Sequence, residues 1–251
     1  MAKLQEIVDY LDAKLAIASI PDYPGALNGL QVDGGDDVAK VGAAVDASLP
    51  VIDKAVAAGV DLLLVHHGMF WNGAKPVTGA LYRKLKAAMD FGMAIYSAHI
   101  PLDVHPEWGN NARLVAAIGL EEVEPFFDWK GIELGLKGAF PGSRAELSQA
   151  LAIALEGEVH VCPGGGEAAG TVGVITGGAG SEVQAIADAG IDSFVTGEGP
   201  HWSYPLAEEL GLNVLYGGHY ATETFGVKAL AGYLAEKFGT AWEFLDHPTG
   251  L

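Results

Sequence analysis

Basic side chains are scarce: 14 Lys and Arg stand against 32 Asp and Glu, a net charge of −18. Such a surface repels a phosphate backbone unless locally reversed, so nucleic acid is not an expected partner. Cysteine is all but missing. The single Cys162 rules out an intramolecular disulfide framework and an all-thiolate zinc site, suits a reducing cytoplasm, and reads as a small strand-end side chain. No apolar run approaches the ~18 residues that span a bilayer. Lys3, Glu6, Asp9 and Asp12 interrupt the N-terminal stretch, which therefore reads as an amphipathic helix. With half its residues hydrophobic, the chain is expected to be a folded cytoplasmic protein without a membrane anchor.

What the chain does have is internal repetition. Residues 92–103 (GMAIYSAHIPLD) and 212–223 (LNVLYGGHYATE) share the pattern Y-x-x-H-x-x-x-(D/E), and an offset of 120 lays Tyr96 on Tyr216, His99 on His219 and Asp103 on Glu223. Upstream, VGAAVD at 41–46, a helical stretch at 49–58 and DLLLV at 61–65 form a β-α-β pattern. An offset of 131 lays Val41–Gly68 on Val172–Gly199 without a gap. Two matches in the same order point to a duplicated unit. The fold class is α/β, with two similar α/β domains at 1–126 and 127–251, the C-terminal helix being free to pack back on the first. The surplus in the first copy is assigned mainly to the loop Phe70–Thr78. Between the copies, 121–127 and 132–140 have strand character, Ser143–Leu155 reads as a helix with Ser143 and Glu146 as a capping box, and Gly157–Cys162 is another strand. The turn TGGAGS at 176–181 could receive an anion on its amides, but it has neither the lysine of a P-loop nor the spacing of a dinucleotide fingerprint; a plain tight turn is the other reading.

The chemistry concentrates on histidine. His66 and His67 stand together at the end of DLLLV, and burying two imidazoles without partners is costly, so both should be exposed, hydrogen-bonded or metal-bound. Adjacent residues leaving a strand point in different directions and could serve two ions side by side. With Asp103, His219 and Glu223 they offer three imidazoles and two carboxylates, a set that favours zinc, manganese or iron over calcium. The absence of thiolate argues for an open site with water in the coordination sphere. His99 is either a sixth ligand or a partner that orients one, the latter being preferred. Glu198 and His201 are candidates for touching substrate or for orienting a metal ligand, an ordinary helix N-terminus being the other reading of both, and His105 and Glu107 are candidates for organising a turn. His160 and His247 read as surface residues.

Four blocks, LNGLQV at 27–32, DLLLVHHGMFWNG at 61–73, SAHIPLDVHPEWGNNARLVAAIGL at 97–120 and TGEGPHWSYPLAEELGLNVLYGGHYATETFGVKAL at 196–230, resemble the NIF-three-like family, also named GTP cyclohydrolase I type 2, in its short form without the central insert domain. The resemblance implies a dinuclear centre in a cleft between two similar domains, ligated by residues matching His66, His67, Asp103, His219 and Glu223. It also implies a toroidal homohexamer, and its name implies hydrolytic opening of a purine ring of GTP by metal-activated water. The chain departs from the family at Gly68, where a proline commonly follows the histidines. The expected activity is a metal-dependent hydrolase with two divalent ions per chain and a small-molecule substrate, a nucleotide by the family name. A non-enzymatic metal-binding scaffold and a phosphoesterase on the same centre are the alternatives. Arg83, Lys84, Lys86 and Arg113 are the candidates for holding a triphosphate.

Overall fold

Ala2–Lys3 (β1) leads into Leu4–Lys14 (α1), where Leu4, Ile7, Val8 and Leu11 recur every three or four residues and are buried. This is the apolar stripe expected of an amphipathic helix, and each such burial contributes about 1.5–3 kcal/mol. Gly29–Val32 (β2) and Asp37–Val38 (β3) follow, then the β-α-β unit as Lys40–Asp46 (β4), Leu49–Ala57 (α2) and Leu62–His67 (β5). Gly79–Phe91 (α3), Ala94–Ser97 (β6) and the short Ile100–Asp103 (α4) complete the run. Strands β4, β5 and β6 are parallel, and β2 pairs antiparallel with β6. Val41, Leu62, Leu64 and Tyr96 pack on one core while Ala44, Leu63, Val65 and Ile95 pack on another. A strand with both faces covered has no polar face to alternate with, which is why Leu62–Val65 is apolar throughout.

The chain continues through Asn110–Ile118 (α5), Glu121–Trp129 (β7), Ile132–Ser143 (β8), Arg144–Leu155 (α6), His160–Pro163 (β9) and Ala168–Val174 (β10). Helix α6 opens with the expected capping box: the Ser143 N–H donates to Glu146 Oε2 at 2.7 Å and the Glu146 N–H donates to Ser143 Oγ at 3.2 Å. After a 3-10 turn at Ala179–Glu182 come Val183–Asp188 (α7), Ser193–Thr196 (β11), Ser203–Leu210 (α8), Asn213–Tyr216 (β12) and His219–Thr222 (α9). Strands β10, β11 and β12 are parallel, flanked by antiparallel β8 and β9. Finally Thr224–Phe238 (α10) lays Val227, Leu230, Ala231 and Leu234 into the core that holds α1, and Ala241–Phe244 (β13) adds to the edge of β4. No helix is long and apolar enough to cross a membrane.

The computed structural model describes residues Met1–Leu251 as two compact units, Met1–Trp108 with Gly226–His247 and Gly109–Phe225 with Pro248–Leu251. This division differs from a boundary at 126. Helix α5 buries Leu114, Val115 and Ile118 against Leu147, Leu151 and Val172 of the second unit, and α10 returns to the first.

Both units contain three parallel strands with an antiparallel neighbour beyond the third, so the duplication is one of topology as well as sequence. In the first half of the repeat the offset of 131 holds, with Val41 opposite Leu62 and Val172 opposite Ser193. In the second half the register differs by one residue from the sequence match. Leu64 pairs with Tyr96 where Val195 pairs with Leu215, and the Ala98 N–H donates to Val65 O where the Gly217 N–H donates to Thr196 O. Tyr96 thus corresponds to Leu215, and a one-residue slip turns a side chain to the other face of a sheet. Tyr96 and Tyr216 indeed sit on opposite faces: Tyr96 is buried beside Leu64 and donates to Asp12 Oδ1 at 2.8 Å, whereas Tyr216 packs with Phe194 and Val214. By the same register His99 answers to Gly218 and Asp103 to Thr222. The surplus of the first copy divides between the connection at 68–78, against 199–202 in the second, and the greater length of α3 than α8.

Candidate metal centre

Strand β5 ends on His66 and His67. His66 is fully buried, and its Nδ1 faces the Ala98 carbonyl at 2.9 Å. A peptide oxygen only accepts, so Nδ1 carries the proton and the Nε2 lone pair is directed elsewhere; Nε2 lies 3.5 Å from Asp103 Oδ2. His67 Nδ1 donates to Asp46 Oδ1 at 3.0 Å, Asp46 being the last residue of the neighbouring strand β4. His99, immediately before α4, donates from Nδ1 to Asp22 Oδ1 at 2.8 Å, and its backbone N–H is fixed by Asn28 Oδ1 at 2.7 Å. Burial pushes the Asp22 carboxyl up, but His99, Asn28 and the Tyr23 N–H together hold it below the usual range. The rings of His66, His67 and His99 lie 4.8–5.5 Å apart, and one nitrogen from each falls within 4.8 Å of the others. Trp71 stands edge-on to His99 at 4.8 Å.

In the second unit His219 opens α9 and Glu223 follows it. His219 Nδ1 is bound to Glu198 Oε1 at 2.9 Å, and Nε2 lies 3.2 Å from Glu223 Oε2. Burial draws the His219 imidazole down, yet Glu223 and Glu198 push it up to about 9. A cation taken at Nε2 therefore has to displace a proton at neutral pH. Glu223 is only 3% exposed. Its carboxylate is seated against Gly177, whose Cβ, if it had one, would collide with Oε1; Gly177 also has φ +73°, where L side chains are strained.

The glycine-rich turn is thus a seat for Glu223 and His219. Three of its amides are engaged within the unit, Thr176 N–H on Asn111 Oδ1 at 2.9 Å, Gly177 N–H on Thr222 Oγ1 at 3.0 Å and Gly180 N–H on Glu198 O at 3.0 Å, which accords with the tight-turn reading of 176–181. Glu198 orients His219, one of the two roles its position in the sequence suggested; Asp22, Asp46 and Trp71 carry no signal in the sequence that singles them out. His201 is exposed on the wall of a cavity within the second unit. His105 organises its turn as expected: Nδ1 accepts from the N–H of Glu107 at 3.2 Å and of Trp108 at 3.1 Å, and the ring stacks on Trp108 at 4.2 Å. Lys84 donates to the Ala47 carbonyl and Lys86 pairs with Asp90, so neither is held ready for a triphosphate; Arg83 and Arg113 are exposed.

Residues 2–248 match the model of the Duf34/NIF3 (NGG1p interacting factor 3) family. A Pyrococcus abyssi protein named GTP cyclohydrolase 1 type 2 homolog is 44% identical, over 98% of this chain and 99% of its own. A Deinococcus radiodurans protein of the same name is 41% identical, over 98% and 94%. Among solved structures, TTHA1606 from Thermus thermophilus superposes with a TM-score of 0.89 at 41% identity, each chain being covered completely. A match of this extent, over a two-unit α/β fold and its paired histidines, means that the chain belongs to the Duf34/NIF3 family.

Proposed function

We propose that the protein is a dinuclear-metal hydrolase in which His66, His67, Asp103, His219 and Glu223 hold two divalent cations. One observation carries this reading: every imidazole of the set has its Nδ1 held by an oxygen acceptor, which leaves Nε2 as the donor to a cation. In His66 and His219 that Nε2 is also directed at a carboxylate, Asp103 and Glu223. The donor set fits the group, since imidazole and carboxylate without thiolate suit zinc, manganese or iron in an open site. When bound, the ions supply Lewis-acid polarisation of the substrate and a water of lowered pKa.

The chain's own residues do the positioning. The Ala98 carbonyl, Asp46 and Glu198 fix the ring planes of His66, His67 and His219, and Asp22 fixes His99, read as a positioning residue. Glu198 uses Oε1 on His219 and borders the second unit's cavity. The relatives' name supports purine-ring hydrolysis of a GTP-like substrate as the reaction. The proposal includes a cytoplasmic ring of six subunits, checked by light scattering at six times the chain mass.

Metal-replete wild type, His67→Ala and Glu223→Ala, assayed on GTP and on a phosphomonoester, test the reading. Ring-opened product from wild type alone supports it. Release of inorganic phosphate instead moves the chemistry to phosphoester cleavage, and a metal-loaded protein inert on every substrate supports a scaffold role and contradicts the hydrolase.

A further inference from the structure

The second unit contains a cavity of about 760 Å³, inside the ~300–1,000 Å³ span of small-molecule sites. Four aromatic rings line it, those of His160, His201, Tyr204 and Tyr216. His160 sits directly opposite Tyr216 across the antiparallel β9–β12 pair, so the two share a face of the sheet, with centroids 6.2 Å apart and planes at 31°. Tyr204, from α8, lies 5.7 Å from His160. The Tyr216 ring is locked: the Ser203 hydroxyl donates to Pro200 O at 2.7 Å, so its oxygen is left to accept the Tyr216 O–H at 2.7 Å. A pinned aromatic ring is a preorganised stacking surface.

The charge on the wall is of one sign. Glu158 and Glu198 line the cavity, and no lysine or arginine does. Only Oε1 of Glu198 is taken up by His219, so its second oxygen is available to a ligand N–H. A phosphate would meet carboxylates here, whereas an amino group or ring N–H would find an acceptor.

We propose that this cavity binds a flat nitrogen heterocycle bearing N–H donors, with its ring against Tyr216 and His160 and its amino edge on Glu198. The inference names the base-like part of the substrate and rests on the hydrolase reading for its catalytic meaning; charged phosphates are left outside the cavity.

The test uses 2-aminopurine, whose fluorescence is quenched by aromatic stacking, titrated into the full chain as purified and again after dialysis against chelator. Saturable quenching is expected in both states, with unsubstituted purine bound about tenfold or more weakly for want of the amino donor. Tyr216→Leu, which keeps an apolar side chain at that position, should weaken binding at least about fivefold, and so should Tyr204→Ala should the first variant fail to fold. Glu198→Ala should erase the preference for 2-aminopurine over purine. No saturable quenching at millimolar probe, equal affinity in both tyrosine variants, or competition by inorganic triphosphate would overturn the proposal. Because the chelated protein is titrated too, failure of the metal reading leaves this result intact and is seen separately in metal content.

Discussion

At the scale of single residues, the histidines and carboxylates were legible because they sit in short motifs of unusual composition, His66–His67 at a strand end and His219 four residues from Glu223. Their partners were not. Asp46 and Asp22 lie 21 and 77 residues away from the imidazoles they hold, and no local pattern announces them. The glycines of TGGAGS left two readings open for a related reason: Gly177 is required by a side chain remote in sequence, Glu223, and not by a ligand of its own amide. Glu223 and His99 should accordingly differ in what their loss does. Glu223→Ala should lose both ions, while His99→Ala, which removes a ring packed beside His66 and His67, should keep them with affinity weakened about 10–100-fold. Metal content of the two variants decides this, and an empty site in His99→Ala would make His99 a ligand. His105 carries a pH prediction. Burial pulls its pKa down, Glu107 only partly opposing this, and its Nδ1 must stay unprotonated to accept two N–H groups. A lowered folded pKa means that this contribution is full above the unfolded value of about 6.5 and is lost as pH falls through the folded one. Thermal melting from pH 8 to pH 5 should therefore fall less steeply in His105→Asn, and parallel curves would contradict the role.

At the scale of elements, period and capping were enough to read α1, the β4-α2-β5 unit and the start of α6, since each is specified by residues within a few positions of one another. Register was not readable to one residue. The pattern Y-x-x-H aligned Tyr96 with Tyr216, yet the ladders align Tyr96 with Leu215, because pairing is decided by which face each side chain must cover. The connection after β5 offers a direct test of local packing. Gln31 accepts the Met69 N–H at 2.9 Å and donates to Ala26 O and Leu27 O, and a Cβ on Gly68 would occupy the space of its amide. Gly68→Ala should therefore cost about 1–3 kcal/mol by displacing Gln31. In a Gln31→Ala background the same change should cost clearly less, and additive losses in denaturant unfolding would show that the two do not compete.

At the scale of the whole molecule, the acidic balance, the single buried cysteine and the lack of any membrane-crossing helix agree with an α/β protein whose two units each carry a core on both sides of a sheet. The duplication was visible in the sequence because strands and helices recur in the same order. The assignment of α10 to the first unit depends on where its apolar face finds a core, which only the folded chain shows. The central proposal is that the oriented imidazoles hold two divalent cations. Elemental analysis of the protein after exhaustive dialysis without chelator tests it most directly: the account predicts close to two divalent ions per chain, whereas a content near zero that added zinc, manganese or iron does not restore would contradict it.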